Sequence, residues 1–175
     1  PMEHVQIGFW VIAGLVVIAL LFDFMNGFHD AANAIATVVS TGVLKPHQAV
    51  AWAAFFNFVA LFVFQLKVAS TVGKGIIDPG VVDHYLIFGA LIGAIAWNVV
   101  TWYYGIPSSS SHALIGGLVG AAIAKAGSTD SLIAAGIWKT VAFIIISPLF
   151  GYVLGSLTLV AVAWICRNKT QRRVD

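Results

Sequence analysis

Long apolar runs separated by short polar clusters set the pattern of this chain. A helix that spans a membrane needs about 20 mainly apolar residues. Residues 5–25 open with such a run, uncharged from Val5 to Phe22, and residues 49–66 and 85–104 give two more. Residues 111–125 form a shorter, glycine-rich segment. Residues 131–166 are long enough for two passes, or for one pass and a half-helix, with Ser147-Pro148 as the interruption, because proline breaks or kinks a helix. The pattern predicts an all-α fold, a polytopic transmembrane helical domain over residues 1–166 with broken or re-entrant helices. A basic tail follows at 167–175.

Composition excludes a soluble globular domain. Of the 175 residues, 60% are hydrophobic and 9% charged, and the mean hydropathy is +0.96. A soluble domain carries about 25% charged residues, so too few charges remain here to cover a water-facing surface. The single cysteine, Cys166, excludes an internal disulfide and a thiolate zinc cluster. The first apolar run lacks a basic flank before it and runs on into polar positions, so it reads as a retained helix and not a signal peptide. The net charge of +2 is concentrated in the tail, at Arg167, Lys169, Arg172 and Arg173, while no Lys or Arg precedes the first helix. An excess of cytoplasmic Lys and Arg then puts the tail in the cytoplasm and the N-terminus outside, which needs an odd number of crossings, about five. Beside a membrane helix this basic tail points to no nucleic acid; the expected surroundings are membrane lipid.

The richest stretch is Asp23 to Thr41. Its polar residues Asp23, Asn26, Asp30, Asn33, Thr37 and Ser40 step by three and four, which places them on one face of a helix. A carboxylate at membrane depth is costly and points to function; at the water interface the same carboxylate costs little. Asp30 lies between two apolar runs with amides at helical spacing, which makes it a candidate proton carrier. Gly27 sits inside the stripe and would allow either a break in the helix or close packing of a neighbour. His29 lies beside Asp30 on an adjacent face, where it could act with the carboxylate or simply be hydrogen-bonded.

The second feature is Gly105 to Gly117. Pro107 ends one helix and can open the next, and Ser108, Ser109, Ser110 and Ser111 follow. One serine suffices to cap a helix. A helix start rich in hydroxyls and free amides is also an anion site, and half-helix ends of this kind hold charged substrates in many transporters. Ser111 and His112 adjoin in sequence and diverge around a helix, and no G-x-S-x-G elbow is present, which argues against a serine hydrolase. Asn98 and Thr101, three apart, could line the same cavity or bond to a neighbouring helix.

Asn26-Gly27-Phe28-His29-Asp30-Ala31-Ala32-Asn33-Ala34 resembles the signature of the inorganic phosphate transporter (PiT) family, written G-A-N-D-V-A-N-A. Gly105 to Gly116 resembles that family's second motif, G-x-P-V-S-T-T-H-A-L-V-G, and Trp138 to Gly151 is also similar to the family. The resemblance implies one inverted repeat of a secondary transporter, the N-terminal half, since each motif occurs once. The second half would be the C-terminal repeat of the same transporter or a second copy of the chain. By resemblance, phosphate would be held by Asp30, Asn33, Ser109, Ser110 and Ser111, and the driving cation by Asn26, His29, Asp30 and Asn33. Histidine replaces the family's first asparagine at position 29. It can carry a proton or, with Asp30, bind a divalent metal, and it suits sodium poorly.

The resulting expectation is a low-affinity phosphate symporter of the bacterial inner membrane that works by alternating access and is no enzyme. Protons are the favoured coupling ion and sodium the alternative. Phosphate could travel as a neutral metal–phosphate complex. A carrier of another oxyanion such as sulfate, or an ion channel, would use the same residues.

Overall fold

The computed structural model describes residues 8–64 and 75–168. The expected span ends at 5–7 and 65–66, and the tail residues Lys169, Arg172 and Arg173, lie outside the described residues. The described residues form helices α1 (Phe9–Ser40), α2 (Pro46–Phe64), α3 (His84–Tyr103), α4 (Ser110–Ala126) and α5 (Ala134–Cys166), with a short 3-10 turn at Pro79–Val81. Among them, α1, α3 and α5 are long and apolar enough to cross a membrane.

The first span is longer than its apolar run. α1 continues for 32 residues without a break, about 48 Å at about 1.5 Å per residue, and carries the polar stripe in its C-terminal half. Gly27 neither breaks it nor admits a close neighbour, since a side chain there would meet nothing within 4 Å. The helix stops where Gly42 turns into the left-handed region at φ 75°, with the Gly42 N–H donating to Val39 O. Pro46 then opens α2, its missing N–H unneeded in a first turn, while Gln48 Oε1 accepts from the Lys45 N–H at 3.2 Å.

α1 and α3 run parallel, and Phe22 packs with Leu91 and Ala94 at their contact. α4 returns antiparallel along α3 on glycine. A Cβ added to Gly93 would lie 3.9 Å from Gly117 Cα, and one on Gly89 would lie 3.7 Å from Ala121 Cβ. A Cβ at Gly117 would overlap the Ala90 carbonyl. Small residues allow this approach, as is common where helices pack in lipid. The far ends of α3 and α4 are tied together, since Lys125 Nζ lies 2.7 Å from Asp83 Oδ2 and donates to Val81 O at 2.8 Å. An antiparallel bridge between Ile77 and Leu132 pins the segment before α3 to the segment after α4.

The chain divides into two compact units, Pro1–Ile133 and Ala134–Asp175. The second contains α5. Where the sequence allowed two passes or a half-helix, α5 is one continuous helix of 33 residues with Pro148 inside it. Losing one N–H donor does not end the helix, because neighbouring turns keep their bonds and, in lipid, no water competes for the backbone.

Candidate functional site

The polar centre lies where the middle of α1, the C-terminal end of α3 and the start of α4 meet. His29 is the residue that α1 buries there, with its side chain 5% exposed against 36% for Asp30. Its Nδ1 lies 3.3 Å from Asp30 Oδ1 and its Nε2 lies 3.2 Å from Thr101 Oγ1 on α3. Ser108 donates to the same Thr101 oxygen at 3.1 Å, and Ser110 donates to Asp30 Oδ1 at 3.1 Å. Thr101 is 1% exposed and Ser110 0%, so the network is sealed at two of its corners. It joins three helices through side chains alone.

The serine run divides its labour. Gly105, at φ 65°, turns the chain out of α3. Ser109 is the N-cap of α4, and its hydroxyl accepts from the His112 N–H at 3.4 Å. The remaining N–H groups of that first turn have no intrahelical acceptor. Ser110 is spent on Asp30. Ser111 is exposed and lies on the side of the turn away from this network. Of the residues expected to act, Asp30 and Ser110 are in direct contact, and His29 joins them through Asp30. Asn26 and Asn33 stay on the open face of α1, half-buried and exposed respectively.

Three cavities surround this centre. One of about 400 Å³ lies between α1 and α2 and is lined by Asn26, Gly27, Asp30 and Asn57 among small apolar residues. One of about 180 Å³ is lined by His29, Asn33, Thr101 and the turn Gly105–Pro107. One of about 810 Å³ runs along the glycine face of α3 and α4 and ends at Ser108, Ser109 and His112. Among the described residues no Lys or Arg lines any of the three. Among the described residues no three His, Cys, Asp or Glu side chains converge for a metal.

Sequence reasoning named no partner for three contributors. Thr101 stood out only as half of a pair with Asn98, and its contact lies 72 positions away in the chain. Ser108 was in the run, but its partner on α3 could not be read from spacing. Asn57, an amide midway along the apolar α2, carried a signal of its own in that polar residues at membrane depth mark pathways.

The description "Phosphate transporter family" matches residues 26–174, which include both motifs and every residue of the polar centre. The chain belongs to that family. A family relative from Rhizobium meliloti (strain 1021), named a probable low-affinity inorganic phosphate transporter, is 56% identical over 169 residues, covering 97% of this chain and 50% of its own length. One of the same name from Bacillus subtilis (strain 168) is 49% identical over 170 residues, covering 92% of this chain and 50% of its own. The chain spans about half the length of these curated relatives. A solved structure described as the sodium-dependent phosphate transporter superposes with TM-score 0.79 at 25% identity, over 88% of this chain and 39% of that one. The chain is thus a membrane protein of a transporter family, and not one of an enzyme family.

Proposed function

We propose that this chain supplies one repeat of a low-affinity inorganic phosphate symporter of the bacterial inner membrane, coupled to protons and working by alternating access. The relatives' names support phosphate as the substrate. Their doubled length supports a C-terminal repeat of the same protein, in preference to a second copy of this chain, as the other half. Phosphate would rest at the start of α4, on the unpaired N–H groups and hydroxyls of Ser109, Ser110 and Ser111, where the helix dipole favours an anion. Asn33 would reach it from α1. With no basic side chain among the described residues lining the cavities, the anion would take a cation beside it, supplied by the His29–Asp30 pair with Asn26 and Asn33 or by a divalent metal carried with the phosphate.

The reading of proton coupling rests on the His29–Asp30 pair and on one tautomer of His29. Thr101 has one hydroxyl hydrogen, and its shortest acceptor is Trp97 O at 2.9 Å. The Thr101 oxygen then accepts from Ser108 and from the His29 Nε2–H. That tautomer leaves a lone pair on Nδ1, facing Asp30 Oδ1 at 3.3 Å. Two acceptors face each other unless one proton sits between them. In that tautomer the pair offers a place for one proton, and Ser110, bonded to the same carboxylate oxygen, connects it to the α4 start.

Sodium is the second reading. The α1–α2 cavity offers oxygen ligands from Asn26, Asp30 and Asn57, and the similar solved structure is named for sodium dependence. The deciding experiment is labelled-phosphate uptake into proteoliposomes that hold the full reading frame, with either a proton or a sodium gradient imposed. Uptake that follows protons and fails in Asp30→Asn is the expected result. Uptake that follows sodium replaces the coupling ion, and sulfate outcompeting phosphate replaces the substrate. Unsaturable flux that never exceeds equilibrium would mark a channel.

A further inference from the structure

Asn98 on α3 is 0% exposed, and neither its Oδ1 nor its Nδ2 has a hydrogen-bond partner among the described residues. Buried amides are nearly always paired, and an unpaired one destabilises the state that contains it. Its surroundings sharpen the point. One turn toward the N-terminus, Ala94 packs with Phe22 of α1. One turn toward the C-terminus, Thr101 bonds to His29. The register set by Gly93 against Gly117 and Gly89 against Ala121 brings Asn98 opposite the first turn of α4. There Ser110 is equally sealed, and its hydroxyl is committed to Asp30. Asn98 is therefore a polar group at the junction of α1, α3 and α4, directly behind the helix start where phosphate is proposed to bind. Because it is enclosed by this half of the protein, no other part of a longer chain can reach it without a rearrangement.

We propose that Asn98 is a positioning residue of the transport cycle, unpaired in the arrangement described here and paired in the alternate one. The inference rests on the transporter reading above. When substrate and cation take over Asp30, Ser110 is released from that carboxylate, and its hydroxyl can donate to phosphate while its oxygen accepts from the Asn98 amide across the α3–α4 contact. The unpaired amide then acts as a bias against the present arrangement. A shift of about tenfold or more between the two states is the scale expected for one buried amide gaining its bonds. A residue that only filled space would lose stability and rate together when replaced; Asn98 should trade one for the other.

The test uses the full reading frame, purified and reconstituted, with Asn98→Leu and the smaller Asn98→Val, so that overpacking in one variant does not hide the result. Three readouts are taken: the melting temperature, phosphate turnover and KM, and backbone hydrogen exchange over Ala94–Thr101. At least one variant should melt several degrees higher, exchange more slowly there, and turn over about tenfold more slowly with KM within about twofold of wild type. Lower melting temperatures in both variants would overturn the proposal, since the amide would then be paired already. So would higher melting with unchanged turnover. Should the wild type move no phosphate, the functional reading fails separately, and the proposal is then decided by melting and exchange, with unslowed exchange overturning it.

Discussion

Replacing Thr101 by valine keeps the shape of the side chain and removes the oxygen on which His29, Ser108 and two backbone carbonyls converge. The carbonyls of Trp97 and Asn98 remain in the helix and lose little. Ser108 is half-buried and lines the 810 Å³ cavity, so its hydroxyl can turn there. His29 lines only the small cavity of about 180 Å³. Its side chain is 5% exposed, and its Nε2–H would be left buried without an acceptor. A stranded buried donor costs about 1–3 kcal/mol, offset by less than about 1 kcal/mol for the added methyl. The net loss, from a few tenths to about 2 kcal/mol, is a factor of up to about 30 in the folded population. Thr101→Ser is the control, since it keeps the oxygen and gives up one methyl group, about 0.8 kcal/mol. Thermal unfolding of the purified full-length protein in detergent gives the stability arm, and labelled-phosphate uptake gives the functional arm. Valine should lower both, and serine should retain uptake at a modestly lower melting temperature. A valine variant as stable and active as wild type, or a serine variant as damaged as the valine one, would refute the network as the organising feature of the site.

Other predictions follow from single contacts. Gly117→Ala should destabilise by about 1–3 kcal/mol, because its Cβ meets backbone of Ala90 and not a movable side chain; Gly116→Ala meets nothing within 4 Å and should be neutral or better in the same melting assay. The Asp83 carboxyl, before the α3 span, is held below its ordinary value chiefly by the hydrogen bond from Lys125. That contribution is fully present above the ordinary aspartate range and is lost as pH falls through the lowered value. The melting gap between wild type and Asp83→Asn, which keeps an N-cap, should therefore be small, constant from neutral to mildly acidic pH, and closed only in strong acid. Ser111→Ala should leave the melting temperature unchanged, since Ser111 is exposed; a raised KM for phosphate would place its hydroxyl on the substrate.

The fold was legible where one segment carries its own signal. The three-and-four spacing of the polar stripe pointed to a helix through Asp30, and the Gly105-to-Gly117 run to a helix start among the serines, where α4 begins at Ser110. What spacing could not give is which residue of α1 turns inward. The stripe runs along one face of α1, while the polar residue buried against α3 is His29, on the adjacent face, with a partner on each side of its imidazole. The α3–α4 approach was visible as many glycines, but only the register shows that Gly117 is the one without room. Pro148 was read as an interruption since proline breaks helices in water. In α5 the surrounding turns carry the helix through it.

The most direct test is phosphate-evoked proton movement in proteoliposomes holding the full reading frame, in sodium-free buffer, followed with a pH dye. A pulse of external phosphate should alkalinise the outside medium as protons enter with substrate. His29→Asn and Asp30→Asn should each abolish that signal, because either change removes the place for the shared proton. Phosphate uptake without proton movement, or full proton movement in His29→Asn, would contradict the account.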